Sequence, residues 1–241
     1  MLEKLEKFQI LALAVVLALG GIIGAKIITG AMAKDVIYVT GSFSQNVISD
    51  SGRFEFTIHS RQVNKAQCLS TLNKQRPLVI KYLKDKGFAE NDIDIKALQG
   101  YDVYNINSNG MTTNLVIAYD ATQRISVKSK DVQKIKTVSN EITDLIQQGI
   151  DIGVEEPSYF YSKLPDLKVK MLEEATKDAK QRASAMLKAT HNRVGKIQSV
   201  NMGVFQITPV DSTNVSDSGI SDTTSIEKKI TSVANVTFRV K

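Results

Sequence analysis

The chain of 241 residues is short of the side chains from which most catalytic sites are built. It holds one cysteine, Cys68, which excludes an internal disulfide framework and any cysteine-built zinc cage. Two histidines, His59 and His191, leave little material for a histidine metal site, and tryptophan is absent. No P-loop, nucleophile elbow, H-E-x-x-H pair or Rossmann glycine pattern occurs. The carboxylates Asp211, Asp217 and Asp222 lack the dense ligand run and twelfth-position Glu of a calcium loop. No catalytic residue, cofactor or metal is therefore expected, and the chain does not read as an enzyme.

What is present belongs to a folded protein. Hydrophobic residues make up 42% and charged residues 23%, too apolar a mixture for a disordered chain. The net charge of +6 is mild, and no basic stripe is interleaved with aromatics, so no nucleic-acid partner is expected.

The apolar residues are unevenly placed. Phe8 to Ala25 reads FQILALAVVLALGGIIGA, with Gln9 its one strongly polar residue. As a helix it would span roughly 27 Å, close to the thickness of a bilayer's hydrocarbon core. No polar face breaks it, as a helix in a water-soluble core would require. The favoured reading is a membrane anchor within residues 1–33, with the lipid bilayer as partner of residues 8–25. A cleaved signal peptide is the second reading, because Ala31-Met32-Ala33 has the small-x-small form of a cleavage site. Lys26-Ile27-Ile28 separates that site from the apolar run, which favours the anchor. Gly20 and Gly24 form a G-x-x-x-G pair on which two such helices pack closely. The amino terminus with Lys4 and Lys7 leans toward the cytoplasm, which places residues 34–241 outside it. The expected location is the inner membrane, single-pass, with the bulk of the chain in the periplasm.

Beyond the anchor the pattern alternates between strands and helices. Val36–Val47 reads as a strand, and Arg53–Arg61 alternates with Phe54, Phe56 and Ile58 on one face. Ser49-Asp50-Ser51-Gly52 between them has turn chemistry and predicts a hairpin. Val63–Lys86 reads as a helix that Pro77 should kink or split, ending at Gly87. Asp92–Tyr104 and Thr112–Lys128 read as strands joined at Asn109-Gly110. Asp131 is set to cap a helix carrying Val132, Ile135, Val138, Ile142 and Leu145, closed by Gly149. Ile150–Phe160 reads as a strand interrupted near Pro157. A long helix runs from Pro165 to about Thr190 with a face of Met171, Leu172, Ala175, Ala179, Ala183, Met186 and Leu187. His191 or Asn192 must then turn the chain. Val194–Thr208 and Ile226–Lys241 are the last strands, separated by a Ser/Thr/Asp-rich flexible loop at 209–225. Paired strands with three helices packed on them make an α+β fold with mostly antiparallel sheet.

The polar face of the second strand carries Arg53, Glu55, His59 and Arg61. No base-orienting partner for His59 is evident nearby, so these four are read as a surface or interface set.

The order of elements and several stretches identify a family likeness. Val36 to Arg61 (VIYVTGSFSQNVISDSGRFEFTIHSR) resembles the opening strand, V-x-G-x-x turn and second strand of the SIMPL-domain family. Glu174 to Val200 resembles that family's alanine-spaced helix and its hydrophobic-Gly-Lys-hydrophobic strand start, here Val194-Gly195-Lys196-Ile197. Leu83 to Ile93 and the last strand, Ile230 to Val240, fit as well. Ser49-Asp50 stands where the family usually has Pro-Asp, and no glycine ends the long helix. The resemblance implies an α+β domain of the bacterial envelope, links to oxidative or envelope stress, and in some members a large ring-like or channel-like homo-oligomer. It supplies no agreed catalytic residues.

Two functional classes follow. The leading expectation is a non-enzymatic, membrane-anchored envelope protein that self-assembles into a homo-oligomer with a structural or stress role, using exposed strand edges or the long loop. The alternative is a ligand-binding or enzymatic domain whose pocket gathers Arg53, Glu55, His59 and Arg61. A third reading is an accessory subunit of another membrane protein, recruited through the Gly20 and Gly24 helix face.

Overall fold

The computed structural model describes residues 13–26 and 35–241. Residues 13–26 are helical (α1). Leu17 and Val16 stand 67% and 64% exposed, and nothing lies within 4 Å of where side chains on Gly20 or Gly24 would sit. The first five residues of the expected span, 8–12, and the Ala31-Met32-Ala33 site lie outside the described residues. Among the described residues no helix is long and apolar enough to cross a membrane.

From residue 35 on, the element order is β1 (Val36–Ile48), β2 (Ser51–Gln62), α2 (Lys65–Asp85), β3 (Ile93–Ile95), β4 (Gln99–Ile106), β5 (Thr112–Ser129), α3 (Val132–Glu141), β6 (Asp151–Val154), β7 (Ser158–Phe160), α4 (Leu164–Lys188), β8 (Val194–Met202), β9 (Gln206–Pro209), β10 (Ile220–Ser221) and β11 (Glu227–Val240). The expected α+β class holds. The strands pair antiparallel, β9 with β10 excepted. The chain forms two compact units, both assembled from separated segments.

The larger unit takes Ser44–Met171 and Val204–Ser232. Its main sheet centres on β5 and β2, paired from Gly52↔Ser129 to Gln62↔Tyr119. β3 and β4 lie on the far side of β5, and β6 and β7 on the far side of β2. The period-two pattern of β2 turns Phe54, Phe56 and Ile58 inward, all fully buried with Ile125 and Val127 of β5. Helices α2 and α3 cover this face with Leu72, Val79, Leu83, Ile135 and Val138. Burying these side chains is worth about 1.5–3 kcal/mol each against leaving them in water. The opposite face of the sheet carries the polar alternates.

Helix α2 starts where Asn64 Oδ1 accepts from the amides of Ala66 and Gln67, and it runs unbroken through Pro77. The expected split at that proline does not occur. At the start of α3 the Asp131 carboxylate accepts from Lys134 N at 3.0 Å, as the sequence led us to expect.

Among the described residues, the smaller unit takes those up to Phe43, with Leu172–Gly203 and Val233–Lys241. The end of β11 pairs with β8, from Ala234↔Met202 to Val240↔Val194. β1 lies on its other side, where Thr40 Oγ1 donates to Asn235 Oδ1 at 2.8 Å. Ala175, Ala179 and Ala183 of α4 are fully buried against Val39, Val236 and Phe238. Met186, expected on that face, is 57% exposed.

Four expectations are corrected. β1 and β2 do not form a hairpin, because Ser49-Asp50 is held by distant partners. Ser49 N donates to Ile226 O, Asp50 N to Phe160 O, and the Asp50 carboxylate accepts from Ser162 N and Oγ at 2.8 and 2.7 Å. Val39-Thr40-Gly41 is no turn: Gly41 sits inside β1. The expected strand Asp92–Tyr104 is two strands, since the chain crosses at Lys96–Leu98, where Lys96 N donates to Arg124 O. Val194–Thr208 likewise divides into β8 and β9, separated by Gly203-Val204-Phe205.

The 209–225 stretch is tied at several points. Asp222 N donates to Ile207 O, Lys229 Nζ to Ser212 O, and Gln206 Nε2 to Ser216 O. Lys228, 3% exposed, donates to Asp222 O at 2.7 Å with the Asp222 carboxylate 3.5 Å away. Burial pushes the Lys228 ammonium pKa down, partly offset by that carboxylate.

Candidate functional site

The outward face of β2 in the larger unit is where the sequence placed its candidates. Strand alternation aims Arg53, Glu55, Thr57, His59 and Arg61 away from the core. The register with β5 sets Thr57 opposite Arg124, His59 opposite Thr122 and Arg61 opposite Asp120. On the other flank Gly153 faces Thr57 and Asp151 faces His59.

These side chains do not lie on a flat surface. The crossing between β3 and β4 brings Lys96, Ala97 and Gln99 over the edge of β5. They wall a cavity of about 790 Å³, floored by Arg53, Glu55, Thr57, His59, Thr122 and Arg124. That volume lies in the range of small-molecule sites. A second concavity of about 430 Å³ takes His59, Arg61, Asp120, Asp151 and Gly153. His59 lines both. A side chain at residue 153 would begin 3.0 Å from His59 Nε2, so Gly153 leaves the ring its room.

The crossing is fixed by the strand beneath it. Gln123 Nε2 donates to Lys96 O at 3.0 Å, and Lys96 N donates to Arg124 O at 2.9 Å. The wall of the larger basin thus hangs on two consecutive residues of β5, one of them supplying its own side chain to the floor.

Charges in the larger basin are interleaved. The Glu55 carboxylate pairs with Arg53 through one oxygen and lies 3.8 Å from Arg124 Nη1 through the other. Arg124 Nη2 reaches Glu155 at 3.3 Å, and Lys96 Nζ reaches Asp94 at 2.7 Å. The lysine bond holds the Asp94 carboxyl below its ordinary range, against burial that acts upward. In the smaller basin Arg61 Nη2 donates to Asp120 Oδ2 at 2.7 Å, which raises the arginine pKa further. Among the described residues no cluster of three or more His, Cys, Asp or Glu is placed to hold a metal.

The four predicted residues therefore divide. Arg53, Glu55 and His59 share one basin, and Arg61 belongs to the next. Lys96, Gln99, Thr122 and Arg124 escaped the sequence reading. The polar alternation Asp120, Thr122, Arg124 along β5 was a usable signal for the last two. Nothing local pointed to Lys96 and Gln99, because their place comes from the break between β3 and β4.

A second feature is the arm formed by β4 and the first half of β5. Their register runs from Gln99↔Thr122 to Ile106↔Thr112, while β2 pairs with β5 only from Tyr119 onward. The arm ends in a turn in which Asn107 Oδ1 accepts from the amides of Asn109 and Met111. Tyr101, Tyr104, Ile106, Met111, Leu115 and Ile117 on it are exposed.

The family model for SIMPL, described as a protein of unknown function (DUF541), matches residues 37–239. The chain belongs to the SIMPL family. No curated protein matches it. The match begins at β1 and ends in β11, so the SIMPL domain takes in both units and both basins. It spans nearly all of Val36–Arg61, Leu83–Ile93, Glu174–Val200 and Ile230–Val240, the stretches that carried the resemblance.

Proposed function

We propose that this SIMPL protein is a non-enzymatic, membrane-anchored component of the bacterial envelope that assembles with copies of itself and serves a structural or stress-protective role. The observation that carries the reading is the β4–β5 arm. Among the described residues its two outer edges, that of β4 on one side and that of β5 along residues 112–118 on the other, pair with no further strand, and it carries a set of exposed apolar side chains, a combination that natural monomers blunt or cover. The exposed apolar helix 13–26, continuous in sequence with the run from Phe8, supports an anchor in the inner membrane with the SIMPL domain in the periplasm. The stress role rests on family membership alone.

The test is the native mass of the full chain in mild detergent. One large defined oligomer is expected, and Ile106→Lys combined with Leu115→Lys should shift it toward monomer. A wild-type monomer overturns assembly as the function.

A second reading has its own observation. The larger basin is concave and gathers Arg53, Glu55 and His59, so this face also suits a small ligand. Ligand-observed NMR with a fragment mixture tests it, comparing wild type with Thr57→Trp, which fills the basin. Fragments that bind both proteins alike, or neither, remove this reading.

A further inference from the structure

We infer that the larger basin is a site for a small molecule bearing carboxylate or phosphate groups, and that Glu55 is a resident carboxylate occupying the place such a group takes. The inference rests on the ligand-binding reading of this basin and names the chemistry of its ligand.

The lining supplies three basic side chains, Arg53, Lys96 and Arg124, and one carboxylate, Glu55. Two of the three are guanidinium groups, whose planar forks suit carboxylate and phosphate oxygens better than an ammonium does. Glu55 shows the spacing: one carboxylate on β2 is met by Arg53 from its own strand and by Arg124 from β5. The Arg124 contact is loose at 3.8 Å, and the arginine side chain remains 53% exposed. It therefore keeps part of its guanidinium open to solvent beside the basin it lines. The partners outside the lining, Asp94 and Glu155, are half exposed and hold their cations through one contact each. Surface pairs of this kind contribute little, so an incoming anion displaces them at small cost.

The neutral groups complete the set. Thr57, Thr122 and Gln99 offer hydroxyl and amide donors around the cations. His59, also in the lining, adds its ring N–H. The floor is rigid, being the paired centre of β2 and β5, and the wall is fastened by Gln123 and Lys96 as described. A preformed polar basin keeps the ordering cost of binding low. With about 790 Å³ available, the ligand is metabolite-sized and has room for more than one anionic group.

The experiment is isothermal titration of the full-length protein in mild detergent with citrate and with inorganic phosphate. Spermidine serves as the cationic control. Citrate or phosphate should bind, and binding should weaken as salt rises. Arg124→Ala should weaken it by about tenfold or more, the scale of one charge-assisted bond. Glu55→Gln, which keeps the shape and removes the competing charge, should tighten it by about tenfold. Arg61→Ala, in the neighbouring basin, should leave it unchanged, and circular dichroism should show every variant folded. If neither anion binds wild type or Glu55→Gln, the inference is overturned. Anion binding that is indifferent to both Arg124→Ala and Glu55→Gln overturns it too. Arg124-dependent binding of spermidine, or of fragments displaced by Thr57→Trp, with no anion binding would discard the anionic ligand while leaving a ligand-binding basin.

Discussion

Gly41 shows how one residue carries a packing requirement. A side chain there would begin 2.1 Å from Ala175 O and 2.4 Å from Ala179 N, both backbone atoms of α4. The helix can lie this close to β1 because its facing residues are alanines. The contact is then fastened: Ser42 N donates to Asp178 Oδ2 at 2.8 Å, and Arg182 Nε holds the same oxygen. Gly41→Ala should destabilise by about 3 kcal/mol or more, since neither backbone can yield. Chemical denaturation followed by circular dichroism reads this directly. Ala175→Gly, which deepens nothing and removes only a methyl, should cost less. Asp50 carries a different requirement. Burial pushes its carboxyl pKa up, but the two bonds from Ser162 and the charge of Lys163 outweigh this, and the net shift is downward. The stability it contributes is therefore present above the unfolded carboxylate value near about 3.9 and is lost as pH falls through the lower folded value. Asp50→Asn should lose about 1 kcal/mol at neutral pH. Its urea midpoint should fall less than that of wild type between about pH 5 and pH 2, and parallel curves would show that Asp50 is not among the groups that titrate there.

Elements were legible where one periodicity ran long enough. β2 reads directly from Phe54, Phe56 and Ile58, and the arm's turn from Asn109-Gly110 with Gly110 at φ 77°. The end of α4 was legible for a subtler reason: without glycine, His191 takes the left-handed position at φ 59°. Pro77 does not split α2, because the helix has more to gain from burying Leu72, Val79 and Leu83 than it loses at one missing amide. The cap at Asn64 is the most local device in α2, and Asn64→Ala should cost about 1 kcal/mol, measurable as a shift in thermal midpoint with the far-ultraviolet spectrum unchanged. Pairing was the harder matter. A turn-like Ser49-Asp50 between two strands suggests a hairpin, yet both residues bond to segments more than a hundred positions away. Short-range pattern contains no information about such partners.

For the whole molecule, chain connectivity and compact units do not coincide. Both units are built from separated segments, and β1 and β11 each pass from one to the other. No single cut yields either unit intact. By itself the sequence determined the class of fold, the faces of most strands and helices, the apolar run at Phe8–Ala25, and the polar identity of Arg53, Glu55, His59 and Arg61. These follow from local spacing and side-chain chemistry, which act within a turn or a strand. Only the tertiary structure decided that β1 pairs with β11, that the chain breaks between β3 and β4, and that Lys96, Gln99 and Arg124 join Arg53 and Glu55 around one basin. The reason is physical: a cavity is made by backbones meeting across long sequence separations, and the hydrogen bonds that hold its wall, from Gln123 to Lys96 and from Lys96 to Arg124, exist only after those backbones have met.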